Sequence, residues 1–295
     1  MTHQPGEDIT LVASNPTFRI FTTLRHTQFN PIDLQSPTPI NTTWKTADTK
    51  LLTFHSDRLQ ASARAFNWTD VANLFESEGD ALLSHHLEQA VSSDATGSKV
   101  PVQGYYRALR AHIDVSRGAS IDISLVAMGD DKPLSGLDTD SFHSLPLSTP
   151  PPTLALSHGT SPGSTPKEYS KVTIDTEPTP ATLFTTHKTS HRTVYDAARA
   201  RASIMPCSPL AAEVLLYNAR SEIIEASVST VYFYRGGGWV TPAAECGGNL
   251  SVTRRLALEG GFCIEGKVMV DDVADGEVVW LSNAARGFFL GRVSR

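Results

Sequence analysis

In this 295-residue sequence, the residues whose types and spacing could do chemistry begin with Lys188. It lies within the stretch Phe184 to Arg201, FTTHKTSHRTVYDAARAR. Residues 184–186 combine aromatic and β-branched side chains that suit a pleated strand. Residues 194–201 read as a helix, with Val194, Ala197 and Ala198 spaced to face inward. Lys188 then falls between a strand end and a helix start, where nearby N–H dipoles disfavour an ammonium and lower its pKa. A lysine so placed suits a nucleophile or Schiff-base former. A solvated surface lysine is the ordinary alternative.

Four further groups could serve such a lysine. Glu225 lies in SEIIEASVSTVYFYRGGGWVTP. Its neighbours Ile223, Ile224 and Ala226 predict partial burial, and a buried carboxylate needs a cation. In CGGNLSVTRRLALEGG, Gly247 and Gly248 make a tight turn and residues 251–258 open a helix. The N–H groups of Val252 and Thr253 would point out of that helix N-terminus, where the dipole favours an anion. The Thr253 hydroxyl can add a hydrogen bond. Arg58 sits on a predicted helix whose inner face carries Leu59, Ser62, Ala63 and Phe66; a solvated arginine fits there too. Arg286 is next to last in EVVWLSNAARG. Its guanidinium suits bidentate carboxylate recognition, with a surface arginine before a glycine turn as the alternative. The run Arg235-Gly236-Gly237-Gly238 lacks the following helix that a phosphate loop needs, and reads as a hairpin.

In their order along the chain, these segments resemble the fold-type IV enzymes of pyridoxal 5'-phosphate (PLP), the class IV aminotransferases. Within them the resemblance is to the fungal aminodeoxychorismate lyases. HKTSHRTVYDAARAR is similar to that family's lysine segment, with Thr189, Ser190, Arg192, Tyr195 and an Ala/Arg-rich helix after Lys188. HSDRL, residues 55–59, is similar to the block whose arginine reaches the cofactor phosphate, and Arg58 matches it. The resemblance covers most of the chain and is strongest over 184–292.

That resemblance implies Lys188 as the residue that bonds PLP and moves the substrate's proton. It implies Glu225 as the carboxylate on the pyridine nitrogen, keeping the ring protonated and able to accept electrons. Phosphate contacts would come from Arg58, Val252 and Thr253, with Arg254 in its usual place, and Asn283 and Ala284 would lie beside the cofactor. Two positions depart from the pattern. Thr230 stands where the family commonly has Asn, and Ala284 lacks a hydroxyl that branched-chain relatives use near the phosphate. The implied activity converts 4-amino-4-deoxychorismate to p-aminobenzoate and pyruvate, a step towards folate. Class IV transamination of a branched-chain amino acid, D-amino acid or amine is the alternative, and PLP binding without turnover a third reading. Substrate carboxylates would need cations: Arg286 first, then Arg192 and His187 beside Lys188, and Arg25 and Arg107 on N-terminal strands. The resemblance also implies a homodimer and no metal.

The elements that must position these residues read as an α/β protein. An α+β N-terminal domain spans 1–130, a Pro/Ser-rich connection 131–167, and a larger, β-rich PLP-binding domain 168–295. Strands are expected at 18–24, 105–114, 120–128, 169–175 and 213–217, and over the whole run 223–234. A helix begins after His55, and a second, over 68–92, is expected to break at Glu78-Gly79-Asp80. Hydrophobic residues make up 40%, enough for a substantial core. The formal net charge of −6, with basic residues scattered, argues against a nucleic-acid partner. Three cysteines without metal-ligand spacing fit free thiols in a reducing compartment. With no signal-peptide pattern and no bilayer-length apolar run, a soluble cytoplasmic protein is expected.

Overall fold

A computed structural model describes residues 9–29, 49–93, 106–128 and 169–295. These divide into two compact units. One holds the described residues up to 128 together with Lys188–His191, and the other holds 169–187 and 192–295. The predicted connection over 131–167 lies outside the described residues.

The first unit contains a short helix α1, Ile9–Ala13, strand β1, Ile20–Phe29, and helices α2, Thr49–Ala65, and α3, Thr69–Ser93. Strands β2, Tyr106–Val115, and β3, Ile121–Ala127, complete it. The strands form an antiparallel sheet in the order β1-β2-β3. Period-2 alternation builds that sheet: Leu109, Ala111, Ile113 and Val115 are buried, while Arg110 between them is exposed. Helices α2 and α3 pack on it, and α2 buries Leu59, Ser62 and Ala63, with Phe66 buried just past its end, as their spacing predicts. The expected break at Gly79 does not occur, and α3 runs unbroken for 25 residues. A Cβ on Gly79 would come 2.0 Å from Ser56 Oγ. Glycine therefore lets α2 and α3 touch, and that contact offsets a helix-propensity cost of about 1 kcal/mol.

The second unit comprises β4, Ser170–Ile174, α4, Leu183–Thr186, α5, Thr193–Arg201, β5, Ala212–Tyr217, and β6, Ile223–Ala226. After these come β7, Thr230–Arg235, β8, Gly238–Pro242, α6, Val252–Glu259, β9, Ile264–Gly266, β10, Val278–Asn283, and β11, Gly287–Val293. Its eight strands are ordered β6-β5-β4-β11-β10-β7-β8-β9. Pairing is parallel at β4–β5, β4–β11 and β8–β9 and antiparallel elsewhere. One apolar cluster joins Ile223 of β6 to Phe233 of β7 and Val240 of β8, through Val172, Leu215 and Leu281. The sheet thus curls until strands from its two ends share a core. Outside it, α5 packs Tyr195 and Ala198 on Val214, Leu216 and Ile224, and α6 packs Ala257 among Tyr232, Trp239 and Phe288.

Three expectations in this unit need correction. Residues 184–186 are helical, not the end of a strand. Thr182 caps them, its hydroxyl accepting from Phe184 N–H while the Thr185 hydroxyl accepts from Thr182 N–H. This local side-chain capping overrides β propensity. The inner face of α5 is Tyr195, Ala198 and Arg199, with Val194 and Ala197 half-buried. The run 223–234 is two strands that bond to different neighbours, β6 to β5 and β7 to β10 and β8. They are parted by a turn at 227–229. Among the described residues no helix is long and apolar enough to cross a membrane.

Candidate active site

In the first unit, residues 188–191 are laced to the start of β1. Phe21 N–H donates to Lys188 C=O at 3.0 Å, Ser190 N–H to Arg19 C=O at 2.9 Å, and Arg19 N–H to Ser190 Oγ at 2.9 Å. Thr189 forms a bridge with Ile20. Lys188 is thereby held alongside β1, with Nζ 5.0 Å from the centre of the Phe21 ring. On α2, His55 and Arg58 are three residues apart and share a face. Both meet Thr22 of β1: Arg58 Nη2 donates to Thr22 Oγ1, which lies 2.6 Å from His55 Nδ1.

Burial, reinforced by the charges of Arg58 and Lys188, holds the His55 imidazole well below the usual histidine range. It is therefore neutral at pH 7. Burial also pulls the Arg58 guanidinium down to about 10, which leaves it charged at that pH. Arg58 Nε is a buried donor with no hydrogen-bond partner among the described residues. A desolvated cation with a donor to spare is what an anion would complete, and Arg58 fits a phosphate on that ground. Of the other cations predicted here, Arg25 lies opposite Arg110, and Arg107 opposite Gln28, in the β1–β2 register.

In the second unit, Glu225 of β6 is buried at 8% exposure. The cation expected beside it is not what meets its Oε1. Instead the Tyr195 hydroxyl donates at 2.6 Å and Asn249 N–H at 3.1 Å. Burial and the neighbouring carboxylate push the Tyr195 phenol well above its usual range, so it serves Glu225 only as a donor. Asn249 reaches Glu225 because of the two glycines before it. Gly247 adopts φ 99°, and a Cβ on Gly248 would lie 2.3 Å from Ile224 C=O. Glu225, Thr230, Gly248, Asn249 and Arg254 line one cleft.

Beyond that cleft, Ser251 caps α6 by accepting from Arg254 N–H. The amides of Val252 and Thr253 have no partner within the helix, as at any helix start. Thr253 is fully buried and belongs to a hydroxyl chain. Ser282 donates to Thr253 at 2.8 Å, Tyr232 lies 2.9 Å from Ser282, and Thr230 lies 2.6 Å from Ser251. Arg254 is occupied elsewhere, donating to Pro242 C=O and pairing with Glu265. Asn283 Oδ1 accepts from the N–H groups of Ala285 and Arg286, which sets the turn holding Ala284 and Arg286. Arg192 stacks 4.6 Å from the Tyr195 ring and donates to Ser227 C=O. His187 is half-buried, which lowers its pKa.

The structure thus gathers Arg58 with Lys188 in one unit, and Glu225 with the α6 N-terminus in the other. Sequence reasoning did not reach Thr22, His55 or Asn249, and it did not make Tyr195 a partner of Glu225. Each contact links residues far apart in the chain, from 24 positions for Asn249 and Glu225 to 36 for Thr22 and Arg58. The flanking HSDRL and CGGN motifs were the available signals.

The sequence model for amino-transferase class IV matches residues 42–290. A Schizosaccharomyces pombe protein provisionally named an aminodeoxychorismate lyase is 33% identical over 103 residues, covering 34% of this chain. The match spans 44% of that relative's length. Among solved structures, a Mesorhizobium loti protein provisionally named an amino-acid aminotransferase superposes with a TM-score of 0.59 at 18% identity. That match covers 94% of this chain and 99% of that one. The 4-amino-4-deoxychorismate lyase of Pseudomonas aeruginosa gives a TM-score of 0.53 at 17% identity, over 100% of this chain and 88% of that one. At such identities the superpositions establish the fold alone. The family match extends over most of the sequence, and the chain belongs to the class IV aminotransferases, a family of PLP enzymes.

Proposed function

We propose that this protein is a PLP-dependent lyase that converts 4-amino-4-deoxychorismate to p-aminobenzoate and pyruvate. Its likeness to the S. pombe relative carries the choice of reaction. The buried Glu225, fixed at one oxygen by Tyr195 and Asn249, supports the cofactor chemistry. PLP, when bound, supplies the electron sink for a carbanion. Lys188 Nζ is the amine that would bond the cofactor, and as a free amine it would take the proton from the ring carbon bearing the substrate's nitrogen. The C–O bond to the enolpyruvyl group then breaks, the departing group gains a proton and becomes pyruvate, and the ring left behind is aromatic.

The chain's own residues have separable parts in this reading. Glu225 would hold positive charge at the ring nitrogen, and Tyr195 keeps its carboxylate oriented. Arg58 would offer a phosphate its unpaired donor, the Val252 and Thr253 amides would offer theirs at the α6 N-terminus, and Asn283 and Ala284 would lie beside the cofactor. Arg286 takes a substrate carboxylate. Its alternatives are Arg192, already donating to Ser227, and Arg25 and Arg107 of the N-terminal strands. The protein works as a homodimer in the cytoplasm. The deciding experiment supplies aminodeoxychorismate with no keto-acid acceptor and follows pyruvate and p-aminobenzoate together. Equal release of both is expected. Absence of pyruvate, with conversion of the cofactor to its amine form by amino acids, would replace the lyase by a transaminase.

A further inference from the structure

Glu213 of β5 is fully buried and has no part in the reading above. Its carboxylate accepts from Ser227 Oγ at 2.6 Å and from Ser229 Oγ at 2.7 Å, the two ends of the turn between β6 and β7. Arg199 Nη1 lies 3.8 Å away and donates to the same Ser227 hydroxyl at 2.8 Å. Burial raises the Glu213 pKa, and the serines and Arg199 oppose that rise.

A carboxylate offers only acceptors, so both serines must spend their single hydrogen on it. Ser229 can then only accept from Asn283 Nδ2, which lies 3.3 Å away. The Asn283 amide is thereby oriented with Nδ2 towards Ser229. Its Oδ1 faces the N–H groups of Ala285, at 3.2 Å, and Arg286, at 2.9 Å. The bonds run in one direction, from the Arg286 backbone through Asn283 and Ser229 to Glu213.

We propose that Glu213 is a positioning residue that fixes, through Ser229 and Asn283, the turn carrying Arg286, and so sets affinity for the substrate's carboxylate. This rests on the proposed function for the identity of the substrate. Glutamine at 213 keeps the shape but turns one acceptor into a donor. If its NH₂ faces Ser229, that hydroxyl accepts from two donors, glutamine and Asn283, and its own hydrogen loses its acceptor. If it faces Ser227, the same happens with Arg199. In either case the directed chain loses a link.

The test uses the holoenzyme with Glu213→Gln, Ser229→Ala, Arg286→Ala and the Glu213→Gln/Arg286→Ala pair. It measures KM and kcat for aminodeoxychorismate, calorimetric binding of p-aminobenzoate, and PLP affinity of the apoprotein. Glu213→Gln and Ser229→Ala should each raise KM and weaken p-aminobenzoate binding about fivefold, with kcat and PLP affinity changed less than about twofold. In the Arg286→Ala background, Glu213→Gln should add nothing. An unchanged KM in both single variants, a full multiplicative effect in the pair, or parallel losses of kcat and PLP affinity would overturn the proposal. Ser229→Ala cuts the same chain with a smaller change, so it decides the matter if Glu213→Gln does not fold. Failure of the wild-type protein to release pyruvate would instead strike the proposed function, and p-aminobenzoate binding would still read the Arg286 turn.

Discussion

In the first unit a guanidinium and a neutral imidazole meet one threonine, Thr22, the charge of Lys188 acts on the same imidazole, and a buried N–H of Arg58 has no acceptor among the described residues. In the second unit the buried carboxylate of Glu225 already has a phenol and a backbone amide on one oxygen, and Thr253 sits in a chain of hydroxyls. The first arrangement has donors in excess and gains by acquiring an anion. The second is satisfied in advance, so its groups are held at fixed positions before any ligand arrives, which is the condition for electrostatic stabilisation without reorganisation. Phosphate binding through Arg58 and charge stabilisation through Glu225 are thus expected to give different signatures.

Replacing the reactive amine, which shares the first unit with Arg58, has the largest expected effect. Lys188→Ala should lower turnover at least about a thousandfold, the scale of a lost general base. Borohydride reduction of the wild-type holoenzyme should leave the pyridoxyl label on Lys188; a label on Lys171 would transfer the role. Glu225→Gln comes next, with PLP retained and the barrier raised by about 2–4 kcal/mol, as for one preorganised electrostatic group. Undiminished turnover would remove Glu225 from the ring nitrogen. Arg58→Ala should reverse that pattern, costing about 1.5–3 kcal/mol in PLP affinity, measured by titrating the apoprotein. A loss in kcat alone would erase the contrast between the units.

The smallest effect is in stability. His55 has a folded pKa below its unfolded value, so the unfolded chain binds the extra proton first. Stability from this group is complete above about pH 6.5 and falls as the pH drops below it, by about 1.4 kcal/mol per pH unit. Urea titrations of wild type and His55→Gln between pH 7 and pH 5 should show the slope reduced in the variant. Equal slopes would mean His55 is not held neutral.

Lys188, Glu225 and the glycine-led helix at 252 were legible because each sits in a short block with its own local pattern, and because the blocks occur in one order. Arg58 was legible from HSDRL, but Thr22 was not, since nothing local announces which strand a helix will cover. The helix at 183–186 was missed because two threonine hydroxyls decide it, against the strand preference of Phe and Thr. The supposed break at Gly79 was a packing contact with Ser56, visible only once two helices are side by side. The run 223–234 looked continuous because its alternation persists through Ser227 and Ser229, whose inward pull comes from Glu213 on another strand.

The lacing of residues 188–191 to β1 also has a consequence in time. The hydrogen bond from Arg19 to Ser190 closes a loop of 171 residues. Such a loop carries a closure entropy that grows with the logarithm of its length. During synthesis at about 5–20 residues per second, roughly ten to thirty seconds separate the making of the two ends. The strand that will hold the lysine is thus made well before it, and it waits through the making of both long helices. A chain stopped between residues 128 and 187 already contains the three strands of the antiparallel sheet and both long helices and still possesses no anchored amine.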